Sequence, residues 1–232
     1  HDRDEPTTLC LTYLSPDGEE NYPGNLATIV KYTLTNENEL IIEYQATTDR
    51  RTIVNLSNHS YFDLAGEDAP DILGHEIRIN ADSFTPINEN FIPTGAIEKV
   101  EGTPLDFREF HKIGERIESE HEQIQNGKGY DHNFVLKNGD GNLSHAATVR
   151  EPGSGRILEV YTTEPGMQFY TGNWLEGNLI GKSGKPYEFR DAFCLETQHF
   201  PDSPNNPQFP DTVLSPDERF ESKTIYKFAN EE

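Results

Sequence analysis

Glu196 is the residue of this chain best placed to do chemistry. It lies in Cys194-Leu195-Glu196-Thr197-Gln198-His199-Phe200-Pro201-Asp202-Ser203-Pro204-Asn205, where an apolar run delivers a carboxylate and then breaks into a proline-rich loop. The residues before it, Ala192-Phe193-Cys194-Leu195, are apolar on both faces and predict a central strand that ends at the glutamate. A second stretch, Asn58-His59-Ser60-Tyr61-Phe62-Asp63-Leu64, holds an imidazole among polar and aromatic neighbours. Unperturbed His and Glu titrate at about 6.5 and about 4.3, so near neutral pH an imidazolium can donate a proton while a glutamate carboxylate accepts one. Together they are a candidate general acid/base pair. Taken singly, His59 reads as a hydrogen-bonded turn histidine and Glu196 as a surface carboxylate on a strand edge. The downstream prolines fix backbone angles that suit a rigid pocket wall.

Two further segments complete the pattern. Asp131 stands in Gly129-Tyr130-Asp131-His132-Asn133-Phe134, and Gln168 in Glu164-Pro165-Gly166-Met167-Gln168-Phe169-Tyr170-Thr171-Gly172-Asn173. In this order the motifs resemble aldose 1-epimerase, the galactose mutarotase family, which interconverts the α and β anomers of free hexoses. The resemblance runs from Thr8 to Phe228. It implies that Glu196 is the general base taking the proton of the C1 hydroxyl, and His59 the general acid protonating the ring oxygen. It also implies that Asp131 and Gln168 bind sugar hydroxyls and that Ser60 and Tyr61 line the site beside His59. No cofactor is implied. His132 and His199 neighbour these motifs, but strand alternation can point them elsewhere, and neither is assigned to catalysis. The loops Ser15 to Gly24 and Gly102 to Arg108 also look like ordered loops of the family.

Composition narrows the partners. The 232 residues carry a formal net charge of -22, which argues against nucleic acid and anionic membrane surfaces, since both need clustered Lys and Arg. A small-molecule sugar is the expected partner. Such a charge also repels itself, and a salt-tolerant or secreted setting is the expectation, tested by melting temperature against salt. Hard oxygen ligands for calcium are plentiful, yet no Asp/Asn spacing resembles a calcium loop. Cys10 and Cys194 allow at most one disulfide, show no metal-binding spacing, and are expected to be two buried thiols. No run approaches the roughly 20 apolar residues of a membrane-spanning helix. The chain opens on His1-Asp2-Arg3-Asp4-Glu5 with no initiator Met, no signal peptide is recognisable, and the compartment stays open.

The elements that must position these residues are strands. Alternation over Ala27–Leu34 and Glu39–Ala46, separated by Thr35-Asn36-Glu37-Asn38, predicts a hairpin. Further strands are predicted at 51–56, 76–81, 133–136, 146–150, 156–163, 167–171, 192–196 and 223–228, with Gly, Pro, Asn and Asp between them. A short helix or irregular loop is expected over His111–Gln125, where Ile113, Ile117 and Ile124 form the apolar stripe. The fold class is all-β, a single domain over 1–232, and the resemblance implies a galactose mutarotase-like β-sandwich of stacked antiparallel sheets. Trp174 suits either a pyranose face or the core.

The family pattern begins upstream of this sequence. Its opening strands, an Asn-Arg pair and a second sugar-binding His have no counterpart here, so the chain is expected to be a fragment with part of the binding shell missing. Unpaired sheet edges and self-association through them are the expected consequence. Asp63 stands where the family more often has Asn, and if close to His59 it would favour the imidazolium. A non-catalytic carbohydrate-binding or structural sandwich is the alternative reading, disfavoured by the presence of both His59 and Glu196. A sugar-phosphate epimerase would need Arg or Lys for the phosphate, in which the chain is poor.

Overall fold

The computed structural model describes residues 6–231, and within them fifteen strands account for most of the regular structure. In chain order they are β1 (Thr7–Ser15), β2 (Leu26–Leu34), β3 (Glu39–Thr48), β4 (Thr52–Ile53), β5 (Glu76–Ile79), β6 (Ala81–Thr85), β7 (Glu98–Lys99) and β8 (His111–Lys112). They continue as β9 (Asp131–Leu136), β10 (Ser144–Glu151), β11 (Arg156–Thr162), β12 (Gly166–Tyr170), β13 (Cys194–Gln198), β14 (Val213–Leu214) and β15 (Phe220–Asn230). An eight-stranded sheet runs β1-β2-β3-β15-β11-β10-β5-β8, a five-stranded sheet runs β13-β12-β9-β6-β7, and β14 pairs with β4. Every pairing is antiparallel.

The two large sheets meet through one apolar cluster. The eight-stranded sheet contributes Ile42, Ile77, Val149, Leu158 and Tyr226, and the five-stranded sheet contributes Phe84, Phe134, Met167, Phe169 and Leu195, all at most 1% exposed. Burying each such side chain stabilises the fold by about 1.5–3 kcal/mol before entropy is subtracted. Period-2 alternation therefore dictates the other face. With Phe134, Phe169 and Leu195 turned inward, their strand neighbours Asn133, Gln168 and Glu196 must turn away from the core.

The hairpin forms as its alternation predicts, with Asn38 in the left-handed region at φ 59° closing the turn. The predicted strands at 76–81, 133–136, 146–150, 156–163, 167–171 and 223–228 form with shifted ends, and the 51–56 stretch keeps only β4. The Ile113, Ile117 and Ile124 stripe is buried as a set, but not on one helix: it spans a 3-10 turn (Ile113–Glu115), a loop and the short helix α1 (Glu122–Gly127).

Three expectations need correction. β13 is not central; it is the edge of the five-stranded sheet, and Glu196 is its third residue of five rather than its end. Its neighbours are apolar on both faces because the 55–62 segment covers the open edge. Of the two thiols, Cys194 is buried but Cys10 is exposed. Cys10 lies on β1, a strand not predicted from the sequence. On β1, Leu9, Leu11 and Tyr13 pair with Tyr32, Val30 and Thr28, and so extend the core face of β2 while remaining 56%, 49% and 60% exposed.

Candidate active site

The register of β9, β12 and β13 sets the site. Gln168 pairs with Asn133 on one side and Glu196 on the other, and Tyr170 pairs with Asp131 and Cys194. Paired residues share a face, so Asp131, Gln168, Tyr170, Cys194, Glu196 and Gln198 all project to the side opposite the core. His132 falls on the core face: it is fully buried, its Nδ1 accepts from Asp131 N at 3.2 Å, and burial drives its pKa down to about 3. It is a neutral packing residue.

His59 comes from a loop rather than a strand. Hydrogen bonds lay that loop along the open edge of β13. Phe62 and Phe193 exchange both backbone bonds at 2.8 and 3.0 Å. Ser57 Oγ donates to Thr197 O at 3.0 Å, and the Asn55 amide pairs with the backbone of His199. His59 sits between the first and second of these contacts. From behind, Tyr226 donates its hydroxyl to Leu195 O at 2.7 Å and Thr224 meets Thr197 at 2.5 Å, pinning β13 to β15 across the core.

The loop thus brings His59 Nε2 to 3.4 Å from Glu196 Oε1. Tyr61 and Tyr170 flank the imidazole, with ring centroids 5.0 and 5.9 Å away. The His59 side chain is half exposed and that of Glu196 only 14% exposed. Burial raises the Glu196 carboxyl to about 7, opposed by the attraction of His59 and reinforced by Asp131. Asp131 is also raised by burial, against a 2.8 Å bond from Gln168 Nε2 and the attraction of His59. The Gln168 oxygen in turn accepts from Gln198 Nε2 at 3.3 Å. Burial holds the Cys194 thiol well above its ordinary range and lifts Tyr170 to about 12, so both stay protonated near neutral pH.

These groups surround an open cavity of about 460 Å³, lined by His59, Tyr61, Asp131, Gln168, Tyr170, Trp174, Glu196, Gln198 and Pro201. That volume suits a small ligand. Five of the six residues picked out in the sequence line it. The sixth, Ser60, does not; it is half buried next to His59, its amide donating to Asn58 Oδ1 at 3.1 Å. Asp63 does not face His59, because its carboxylate lies 3.3 Å from the buried His75 imidazole. His199 turns to the buried Glu164, with Nδ1 2.6 Å from Oε2. Trp174 is not core: it is 44% exposed at the cavity rim, with Lys128 Nζ 3.9 Å above its ring. Tyr170, Gln198 and the place of Cys194 on this face went unremarked in the sequence, although each residue lies two positions from one that was picked and alternation alone would have put it on the same face.

A buried carboxylate that exchanges protons near pH 7, an imidazole beside it, and an amide-carboxylate pair across the cavity make up an acid/base site with hydrogen-bonding capacity for a polyhydroxylated ligand. The chain as a whole is similar to known proteins. A sequence profile of the family described as aldose 1-epimerase matches residues 1–227. Galactose mutarotase of Rattus norvegicus is 50% identical over 216 residues, covering 93% of this chain and 61% of that protein. Aldose 1-epimerase of Escherichia coli (strain K12) is 40% identical over 220 residues, covering 94% and 62%. The crystal structure of galactose 1-epimerase from Lactobacillus acidophilus NCFM superposes with a TM-score of 0.86 at 31% identity, over 100% of this chain and 65% of that one. The chain therefore spans a little over three fifths of the length of the curated relatives it matches.

Proposed function

Since this chain belongs to the aldose 1-epimerase family, we propose that it interconverts the α and β anomers of free hexoses such as galactose and glucose, by acid/base opening and reclosure of the ring. The observation that carries the reading is the 3.4 Å approach of His59 Nε2 to Glu196 Oε1 inside the polar cavity. The hydroxyl to be deprotonated and the ring oxygen to be protonated are both bonded to C1. Acid and base must therefore lie side by side, as these two do.

Glu196, as carboxylate, takes the C1 hydroxyl proton while His59, as imidazolium, gives a proton to the ring oxygen. The C1–O5 bond breaks, leaving an open-chain aldehyde, a protonated Glu196 and a neutral His59. Rotation about C1–C2 presents the other carbonyl face. The C5 hydroxyl then attacks C1, His59 takes back that hydroxyl's proton, and Glu196 returns its own to the carbonyl oxygen. Both residues end as they began, and a glutamate raised to about 7 suits a proton that must leave as readily as it arrives.

Asp131 and Gln168 are the groups we assign to holding sugar hydroxyls, with Tyr61 and Trp174 offering ring faces to the apolar side of the pyranose. The test is the rate of anomer equilibration of freshly dissolved α-D-galactose and α-D-glucose, followed by polarimetry with and without the protein. A rate above that of buffer supports the proposal. Acceleration that survives Glu196→Gln unchanged would favour a non-catalytic sugar-binding role for this pair.

A further inference from the structure

The thiol of Cys194 lies on the site face and has been given no part in the reaction or in holding the sugar. It leaves β13 on the same side as Glu196, two residues on. Its Sγ lies 3.4 Å from His59 Nδ1, while the other ring nitrogen faces Glu196 at 3.4 Å. One imidazole is thus flanked by a thiol and a carboxylate. One ligand atom from each of the three residues lies within 4.8 Å of the other two, and no other such His/Cys/Asp/Glu cluster occurs among the described residues.

We propose that His59, Cys194 and Glu196 form a three-ligand site for a thiophilic divalent cation such as Zn2+ or Cd2+, and that an occupied site is a switched-off site. A tetrahedral zinc held at about 2.3 Å from sulfur and about 2.0 Å from nitrogen separates those two atoms by about 3.5 Å. The observed Sγ to Nδ1 distance is 3.4 Å, so this pair is already at the spacing of two zinc ligands. Glu196, the longest and most rotatable of the three side chains, completes the set by turning its carboxylate. His59 and Glu196 line the cavity, from which water can supply the fourth ligand. Sulfur selects for zinc-group cations over calcium and magnesium, which prefer oxygen alone.

A cation takes sulfur as the thiolate, so binding releases the S–H proton to solvent and affinity rises with pH. The surrounding charge of -22 raises the local concentration of cations. A bound cation occupies both the proposed acid and the proposed base, so it excludes proton transfer and competes with sugar. That inhibitory consequence rests on the proposed function; the binding itself does not.

The decisive experiment titrates the metal-free protein with Cd2+, reading the ultraviolet charge-transfer band of a Cd–thiolate bond. The expected result is a band that saturates at one cation per chain, persists in Cys10→Ser, disappears in Cys194→Ser, and needs at least about tenfold more Cd2+ in His59→Asn. No band in the native sequence, a band lost with Cys10→Ser, or a band indifferent to His59→Asn would overturn the site. Cys194 is buried, so the half-exposed His59 position supplies a variant that keeps the test valid should the cysteine variant not fold. The band is read without sugar. A protein that binds Cd2+ here yet never accelerates anomer equilibration upholds the site and counts against the acid/base reading alone.

Discussion

The side chain of Asn55 and the backbone of His199 exchange two hydrogen bonds, Nδ2 to O at 2.9 Å and N to Oδ1 at 3.0 Å, across 144 residues of sequence. They fasten the segment that carries His59 to the strand that carries Glu196. Replacing Asn55 with alanine removes both. The expected result is a loss of about 1–2 kcal/mol of stability by chemical denaturation, with kcat falling more than KM rises as His59 loses its place. An unchanged kcat would mean the contacts at Ser57 and Phe62 hold the loop alone.

Glu196→Gln removes the proposed base while keeping the shape of the side chain. Anomer equilibration should slow about 10²- to 10⁴-fold, with the circular dichroism spectrum retained.

The same substitution should stabilise the protein, in a pH-dependent way. The folded carboxyl titrates at about 7 against an ordinary 4.5, so the fold prefers it protonated. Its contribution is fully favourable below about 4.5, is lost as pH rises to about 7, and leaves above that a penalty of the order of 3 kcal/mol relative to low pH. Melting curves of the native and Glu196→Gln proteins should therefore nearly coincide at pH 4.5 and separate by pH 8, with the variant more stable.

Activity should follow the opposite course. As pH rises through about 7, Glu196 becomes the carboxylate that the first step requires, so kcat/KM rises along an ascending limb with an apparent pKa near that value, which belongs to the Glu196–His59 pair as a unit, and turns over where the imidazolium required by the same step is lost. A profile flat from pH 5 to 8 would exclude Glu196 as the base.

Asp131→Asn keeps the volume of the side chain but gives up its charge. It should lower kcat/KM by about 10- to 100-fold through lost hydrogen bonding to the sugar, and it should shift the ascending limb of the pH profile to lower values, because a negative neighbour of Glu196 has gone. The limb position separates this effect from general damage.

The all-β fold and the residues we propose as acid and base were legible in the sequence; their assembly was only partly so. Alternation marks strands that have one face in the core, and it succeeded for β2, β3, β11 and β12. It missed β1, whose Leu9, Leu11 and Tyr13 are apolar yet exposed. It also put Glu196 on a central strand, because residues 192–195 have the double-sided apolarity of a buried strand. The cover over that edge is a loop more than 130 residues away in sequence. For the same reason the approach of Cys194 to His59 left no local signature, since a contact across 135 residues is a property of the fold and not of spacing.

That loop and β13 amount to a single mechanical part. Three tethers join them edge to edge, and Tyr226 and Thr224 bolt the strand to the sheet behind it. His59 and Glu196, the proposed acid and base, are mounted on this one part, whereas Asp131 and Trp174 belong to neighbouring ones. The part that carries His59 and Glu196 can therefore stay fixed while the opposite wall is rebuilt. Under the proposed function, preference for one hexose over another would be altered on the β9 side and at the Trp174 rim, without moving His59 and Glu196.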